Sequence, residues 1–294
     1  MTLVYTGIVS HAPGITGRAH LVENTAARDA LHAAFARQRD EIAAAEPDVL
    51  LLIAAEHFAN FFMNNMPAFC MGVSDHHTGP IEDPAWLKIP VRRIAGAPDL
   101  ALRLTQDIMQ SVDVAYAQEW RCDHGLMVPL HFLDPDNRYP LIPVNINCQG
   151  PPLAPLHRVW AFGEALRRGI DKVDERIAVL GTGGISHWPA TPDSGKINEA
   201  WDRLFLQRLF GADKSALLAY TDTETYRDAG QGGFEIRTLI AAAAVAQAPG
   251  DLQFYTAELP IFAVGCALGR FNSSTTCDAS MSRTIGEHDH DRRE

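Results

Sequence analysis

The sequence predicts an α/β domain, with a central mixed β-sheet flanked by helices and the active site at the carboxyl ends of its strands. Three observations lead there. Apolar, strand-like runs alternate with helical segments along the 294 residues. Several of those runs are continuously apolar, as in strands covered on both faces. No Pro/Ser-rich linker or shift in composition divides the chain, so residues 1–271 read as one domain and the polar stretch 272–294, ending HDHDRRE, as a flexible tail.

The elements follow in order. LVYTGIVS (3–10) is the first strand. NTAARDALHAAFARQRDEIAAA (24–45) carries apolar residues at helical spacing and leads through Glu46-Pro47 into DVLLLIAA (48–55), a fully buried strand. PDLALRLTQDIMQS (98–111) is a helix. YPLIPVNIN (139–147) is a strand whose prolines suggest an edge or bent position. HRVWAFGEALRRGI (157–170) is helical, and RIAVLGTGG (176–184) is a strand breaking into glycines. Residues 196–220 and FEIRTLIAAAAVA (234–246) read as helices, and LQFYTAELPIFAVGCALGRF (252–271) as two short strands.

Composition excludes several classes. A formal charge of −11 argues against a nucleic-acid surface, which wants an excess of Lys and Arg. Five cysteines without CxxC spacing (Cys70, Cys122, Cys148, Cys266 and Cys277) read as reduced thiols. No apolar run reaches the ~18 residues of a membrane span, and Met1 leads straight into a strand. The expected location is the cytoplasm.

The polar chemistry collects at strand ends. His11 follows the first strand, His57 follows 48–55, His187 follows the glycines of 176–184, and His124 lies in the glycine-bearing CDHGLMVPL. Ligands of open α/β sheets bind beyond the carboxyl ends of strands, so these imidazoles point to one rim. Glu235 opens an otherwise apolar helical segment and needs water or a partner. Each also has a plainer reading, as a hydrogen-bonded turn residue or as an acid favoured by a helix N-terminus. His76 and His77, in SDHHTGP, read as a solvated loop pair. Two imidazoles and one carboxylate make the set that holds non-haem Fe(II) with positions left open, and a further histidine supplies acid–base function.

The chain resembles the class III extradiol ring-cleavage dioxygenases, the group of the protocatechuate 4,5-dioxygenase catalytic subunit and 2,3-dihydroxyphenylpropionate dioxygenase. The resemblance is carried by SHAP (10–13), PDVLLLIAAEHFANFF (47–62), MPAFCMGV (66–73), DHGLMVPL (123–130), GTGGISH (181–187) and FEIRTLIAAAA (234–244), in that order. It implies Fe(II) held by His11, His57 and Glu235. It further implies His187 as the base that deprotonates a bound catechol and His124 as a second histidine for proton handling. The implied substrates are a small aromatic diol and O2, with ring opening beside the diol. Protocatechuate- or gallate-like acids, catechols with an acid side chain and dihydroxypyridine analogues all remain open. Residues 191–209 look closer to the protocatechuate type, which works with a separate small lid subunit, and a homo-oligomer is expected. Arg18 or Arg121 is the candidate anchor for a substrate carboxylate, with surface roles as the alternative. Two rival readings are a Memo-like binding protein on the same scaffold and a zinc-dependent hydrolase.

Overall fold

The computed structural model describes residues 2–272. Among these residues ten strands form: β1 (Leu3–Val9), β2 (Val49–Ala54), β3 (Phe69–Gly72), β4 (His76–Gly79), β5 (Arg92–Ala95), β6 (Ala115–Ala117), β7 (Leu141–Ile146), β8 (Ile177–Thr182), β9 (Gly250–Thr256) and β10 (Cys266–Phe271). Eight of them make one sheet in the order β6-β3-β7-β2-β8-β1-β10-β9, and β4 and β5 pair separately. The four central strands β7, β2, β8 and β1 run parallel, while β3 and β10 flank them antiparallel. The predicted class is therefore the observed one, and the parallel block delivers four carboxyl ends to one edge.

The helices are α1 (Gly14–Gly17), α2 (Thr25–Ala44), α3 (Pro84–Leu87), α4 (Pro98–Ile108), α5 (His124–Leu133), α6 (Leu156–Ile170), α7 (Glu199–Phe210), α8 (Lys214–Leu218), α9 (Asp222–Ala229) and α10 (Ile236–Ala246). Alternation along β2 shows why both faces are covered. Val49, Leu51 and Ile53 join the core beneath α4, α6 and α10, whereas Leu50, Leu52 and Ala54 join the one beneath α2 and α5.

Three expectations need correction. The strand 139–147 is not at an edge: β7 lies between β3 and β2. Its ladder with β3 runs from Phe69↔Ile146 to Met71↔Val144 and ends before Pro143. Gly72 leaves room there for the ring, since a Cβ would stand 2.5 Å from Pro143 Cγ. Residues 196–220 hold two helices, because Gly211 ends α7 and Ala212 takes a left-handed conformation (φ 55°) before Asp213 caps α8. Finally, His76 and His77 form part of β4, where His77 is buried with Nε2 3.1 Å from the Leu141 carbonyl. Burial pushes that imidazole down to about 4, so it is a neutral core group.

Candidate active site

Residues of the site arrive from all four parallel strand ends. His11 stands two residues beyond β1, where Ser10 Oγ accepts from Ala267 N–H at 2.8 Å and so fixes the exit of the chain against β10. His57 lies beyond β2, His187 beyond β8, and Cys148 and Gln149 beyond β7. Glu235 precedes α10, whose N-terminal dipole favours a carboxylate. His124 is the first residue of α5, with Asp123 as its N-cap. Together these groups line a pocket of about 220 Å³ walled by Pro13, Pro189, Phe262 and Val264.

The geometry is convergent. Glu235 Oε2 lies 3.2 Å from His11 Nε2, and Oε1 lies 3.2 Å from His57 Nε2 and 3.8 Å from His187 Nε2. One nitrogen from each of His11, His57 and His124 falls within 4.8 Å of the other two. The rings of His57 and His124 are 4.0 Å apart between centroids.

In each imidazole Nδ1 is held from behind. Thr182 Oγ1 donates to the Gly125 carbonyl at 2.8 Å, so it accepts from His11 Nδ1–H at 3.0 Å. Asp123 Oδ2 accepts from His57 Nδ1–H at 3.0 Å and from the His57 backbone at 2.7 Å. Glu82 accepts from His124 Nδ1–H at 2.6 Å, and the Ile185 carbonyl from His187 Nδ1–H at 3.1 Å. In the neutral rings these bonds set the tautomers, which leaves an Nε2 lone pair on each of the four. His187 owes its position to two glycines: a Cβ on Gly184 or Gly232 would stand 2.6 or 2.3 Å from ring atoms.

Four lone pairs and a buried carboxylate facing one point repel one another unless a cation sits among them. The charge balance of the protein alone reports the same field. Burial disfavours an imidazolium at His57, yet Asp123 and Glu235 overcome it and push the group up to about 10. Burial would also raise Glu235, but the His11 and His187 rings and the bonds from His11 and His57 hold its carboxyl well below the usual range. His187 and His124 go the other way, pushed down chiefly by burial, and therefore stay neutral bases. The donor set of nitrogen and carboxylate oxygen fits a divalent transition metal. His11, His57 and Glu235 can hold it, as can His11, His57 and His124.

The catalytic subunit of aromatic ring-opening dioxygenase, LigB, describes the family whose profile matches residues 5–266. The chain belongs to this family. Among relatives of the LigB domain, one from Cupriavidus necator named 2,3-dihydroxyphenylpropionate/2,3-dihydroxicinnamic acid 1,2-dioxygenase is 31% identical over 280 residues, covering 79% of this chain and 87% of the relative. A protein of the same name from Paraburkholderia xenovorans is 32% identical over 265 residues, covering 75% and 81%. An uncharacterised protein of Escherichia coli K12 shares the fold at a TM-score of 0.51, with 16% identity and coverage of 81% and 92%. The chain is thus an extradiol ring-cleavage dioxygenase, and among its described residues no helix is long and apolar enough to cross a membrane.

The predicted site residues divide cleanly. His11, His57, His124, His187 and Glu235 meet in the pocket. Arg18 and Arg121 do not. Both are exposed, and they donate to the Ile261 carbonyl at 3.3 Å and the Ala59 carbonyl at 2.5 Å. The pocket lining holds neither Arg nor Lys. Asp123, Glu82 and Thr182 were not singled out by the sequence. Only Asp123 had a visible signal, as the residue before His124 in the DHG motif.

Proposed function

We propose that the protein is an Fe(II)-dependent extradiol dioxygenase that opens the ring of a catechol bearing an acid side chain, of the 2,3-dihydroxyphenylpropionate class. The observation that carries this is the approach of Glu235 to His11 and His57 at 3.2 Å each, with His187 Nε2 beside the same carboxylate. Among the substrates the sequence left open, the names of relatives near 30% identity favour this one.

In this reading His11, His57 and Glu235 hold the iron. His124, although within ligand range, is reserved for proton transfer because Glu82 is placed to stabilise its imidazolium. Iron, when bound, supplies a centre at which a diol and dioxygen exchange electrons. The chain's own groups do the rest. Phe262, Val264, Pro13 and Pro189 pack the ring and exclude water. His187 Nε2, with its lone pair turned into the pocket, takes the proton of one diol hydroxyl, and His124 Nε2 takes that of the other and returns it as the ring opens. A complete set of acid, base and ligand side chains disfavours a disabled binding module.

The test is anaerobic chelation followed by reloading. Fe(II), and not Zn(II), is expected to restore oxygen uptake and yellow ring-opened product, with 2,3-dihydroxyphenylpropionate turned over faster than protocatechuate or gallate. His57→Ala and Glu235→Ala should lose iron, whereas His187→Ala should keep it and lose roughly 10²–10⁴-fold in kcat. A His187→Ala enzyme working at the parent rate would remove the base from this scheme, and hydrolysis supported by Zn(II) would replace the whole reading.

A further inference from the structure

The imidazole of His187 is placed by a loop, residues 183–190, and what fixes the loop lies behind it, away from the pocket. Ser186, wholly buried, donates its backbone N–H to Asp202 Oδ1 at 2.9 Å. Its hydroxyl bonds the same carboxylate and accepts from Asn198 N–H at 2.7 Å. Asp202, on α7, is itself 0% exposed, and its Oδ2 accepts from the Tyr255 hydroxyl of β9 at 2.8 Å. Gly265 presses on the same oxygen, for a Cβ there would stand 2.2 Å from Oδ2, and its neighbour Val264 is a wall of the pocket. One side chain therefore joins α7, β9, the wall at Val264 and the residue before His187.

The opposite side of the loop is held by main chain. His187 N–H donates to the Ala229 carbonyl at 2.8 Å, and Gly232 N–H donates to the His187 carbonyl at 3.2 Å. The α9 end and Asp202 thus grip the loop between them. The hydrogen-bond partners of Asp202 are neutral donors, and a buried carboxylate without a cation is a costly way to fill space. Groups of that kind persist where the geometry they enforce is needed.

We infer that Asp202 is a positioning residue for the reaction, holding Ser186 and through it the Nε2 of His187 at its station beside Glu235. The inference rests on His187 acting as the base. It concerns a group that touches neither the iron ligands nor the substrate pocket.

The test compares the full-length parent with D202A, D202N and Y255F. Iron content, kcat and KM are measured on Fe(II)-loaded protein, and hydrogen exchange of the 183–198 segment on the Zn(II)-loaded form. D202A is expected to keep its iron and to hold KM within about threefold. Its kcat should fall by about 10²-fold, the scale set by a misplacement near 1 Å. Exchange across 183–198 should quicken at least tenfold. D202N should recover most of both losses, because its amide oxygen still accepts from Ser186 N–H. Parent-like kcat and protection in D202A would overturn the inference, as would iron loss in step with activity or D202N behaving like D202A. Should D202A fail to fold, Y255F decides: faster exchange across 183–198 supports the inference and unchanged exchange refutes it. A parent enzyme that turns over no catechol sinks the proposed function instead, and the exchange comparison still reads whether Asp202 holds the loop.

Discussion

At Asp202, burial pushes the carboxyl up to about 6, with Glu199 adding repulsion and the Ser186 and Tyr255 bonds pulling the other way. In the unfolded chain an aspartate titrates near ~3.9. Between those values the folded protein keeps a proton that the unfolded chain has released, so stability falls as pH rises through the interval. A shift of this size corresponds to about 3 kcal/mol. The unfolding free energy of the parent relative to D202N is therefore expected to drop by about 2.4 kcal/mol between pH 4 and pH 7.5, measured by urea denaturation. A difference that stays flat with pH would mean that the group titrates like a solvated aspartate. The same residue marks the limit of what the sequence discloses. Histidines at strand ends are legible, because a strand end is a local pattern. Asp202, Glu82 and Asp123 act on residues 16, 42 and 66 positions away, and no local pattern marks those pairings.

Among the elements, α10 shows how packing sets the site. The run of alanines lets it lie close to α6 and β8, and two glycines complete the approach. A Cβ at Gly163 would stand 2.5 Å from the Ala241 carbonyl oxygen, and one at Gly181 would stand 2.6 Å from that of Thr238. Gly163→Ala brings two opposed effects. Helix propensity favours alanine by up to about 1 kcal/mol, whereas a backbone clash in a packed core costs about 1–3 kcal/mol. The clash is with main chain, which cannot rotate away, so the variant should be less stable by about 1–2 kcal/mol in thermal or urea unfolding. Because Glu235 opens α10, weaker iron binding should accompany that loss, and a variant as stable as the parent would show that the two helices can separate freely. The helix itself was legible from FEIRTLIAAAAVA. Strands β3 and β6 were not, since at four and three residues they are too short to display an alternation. The interior place of β7 was hidden as well, because it rests on the β3 ladder ending before Pro143 and on the room that Gly72 leaves for the ring.

For the whole molecule, the parallel block turns distant sequence into a single donor set, and the consequence is thermodynamic as well as chemical. A protein that gathers His11, His57, His124, His187 and Glu235 without a cation must take up a proton, and the rise of His57 to about 10 shows where. Loading a divalent metal replaces that proton and adds bonds that the unfolded chain cannot make, so binding and folding are coupled. At a free metal concentration 100 times the dissociation constant, the gain is about 2.7 kcal/mol. For a domain of this size each kcal/mol moves the midpoint by roughly 2–4 °C, so chelation should lower Tm by about 5–10 °C. Reloading should restore it, with a larger increment at pH 8 than at pH 6, where protons compete for the imidazoles. In Glu235→Gln the increment should shrink towards zero while the metal-free Tm changes little or rises, since the buried carboxylate has gone. An increment that survives Glu235→Gln intact but disappears in His124→Ala would move the third ligand from Glu235 to His124. That outcome would leave the fold and the pocket as they stand and reassign the proton donor.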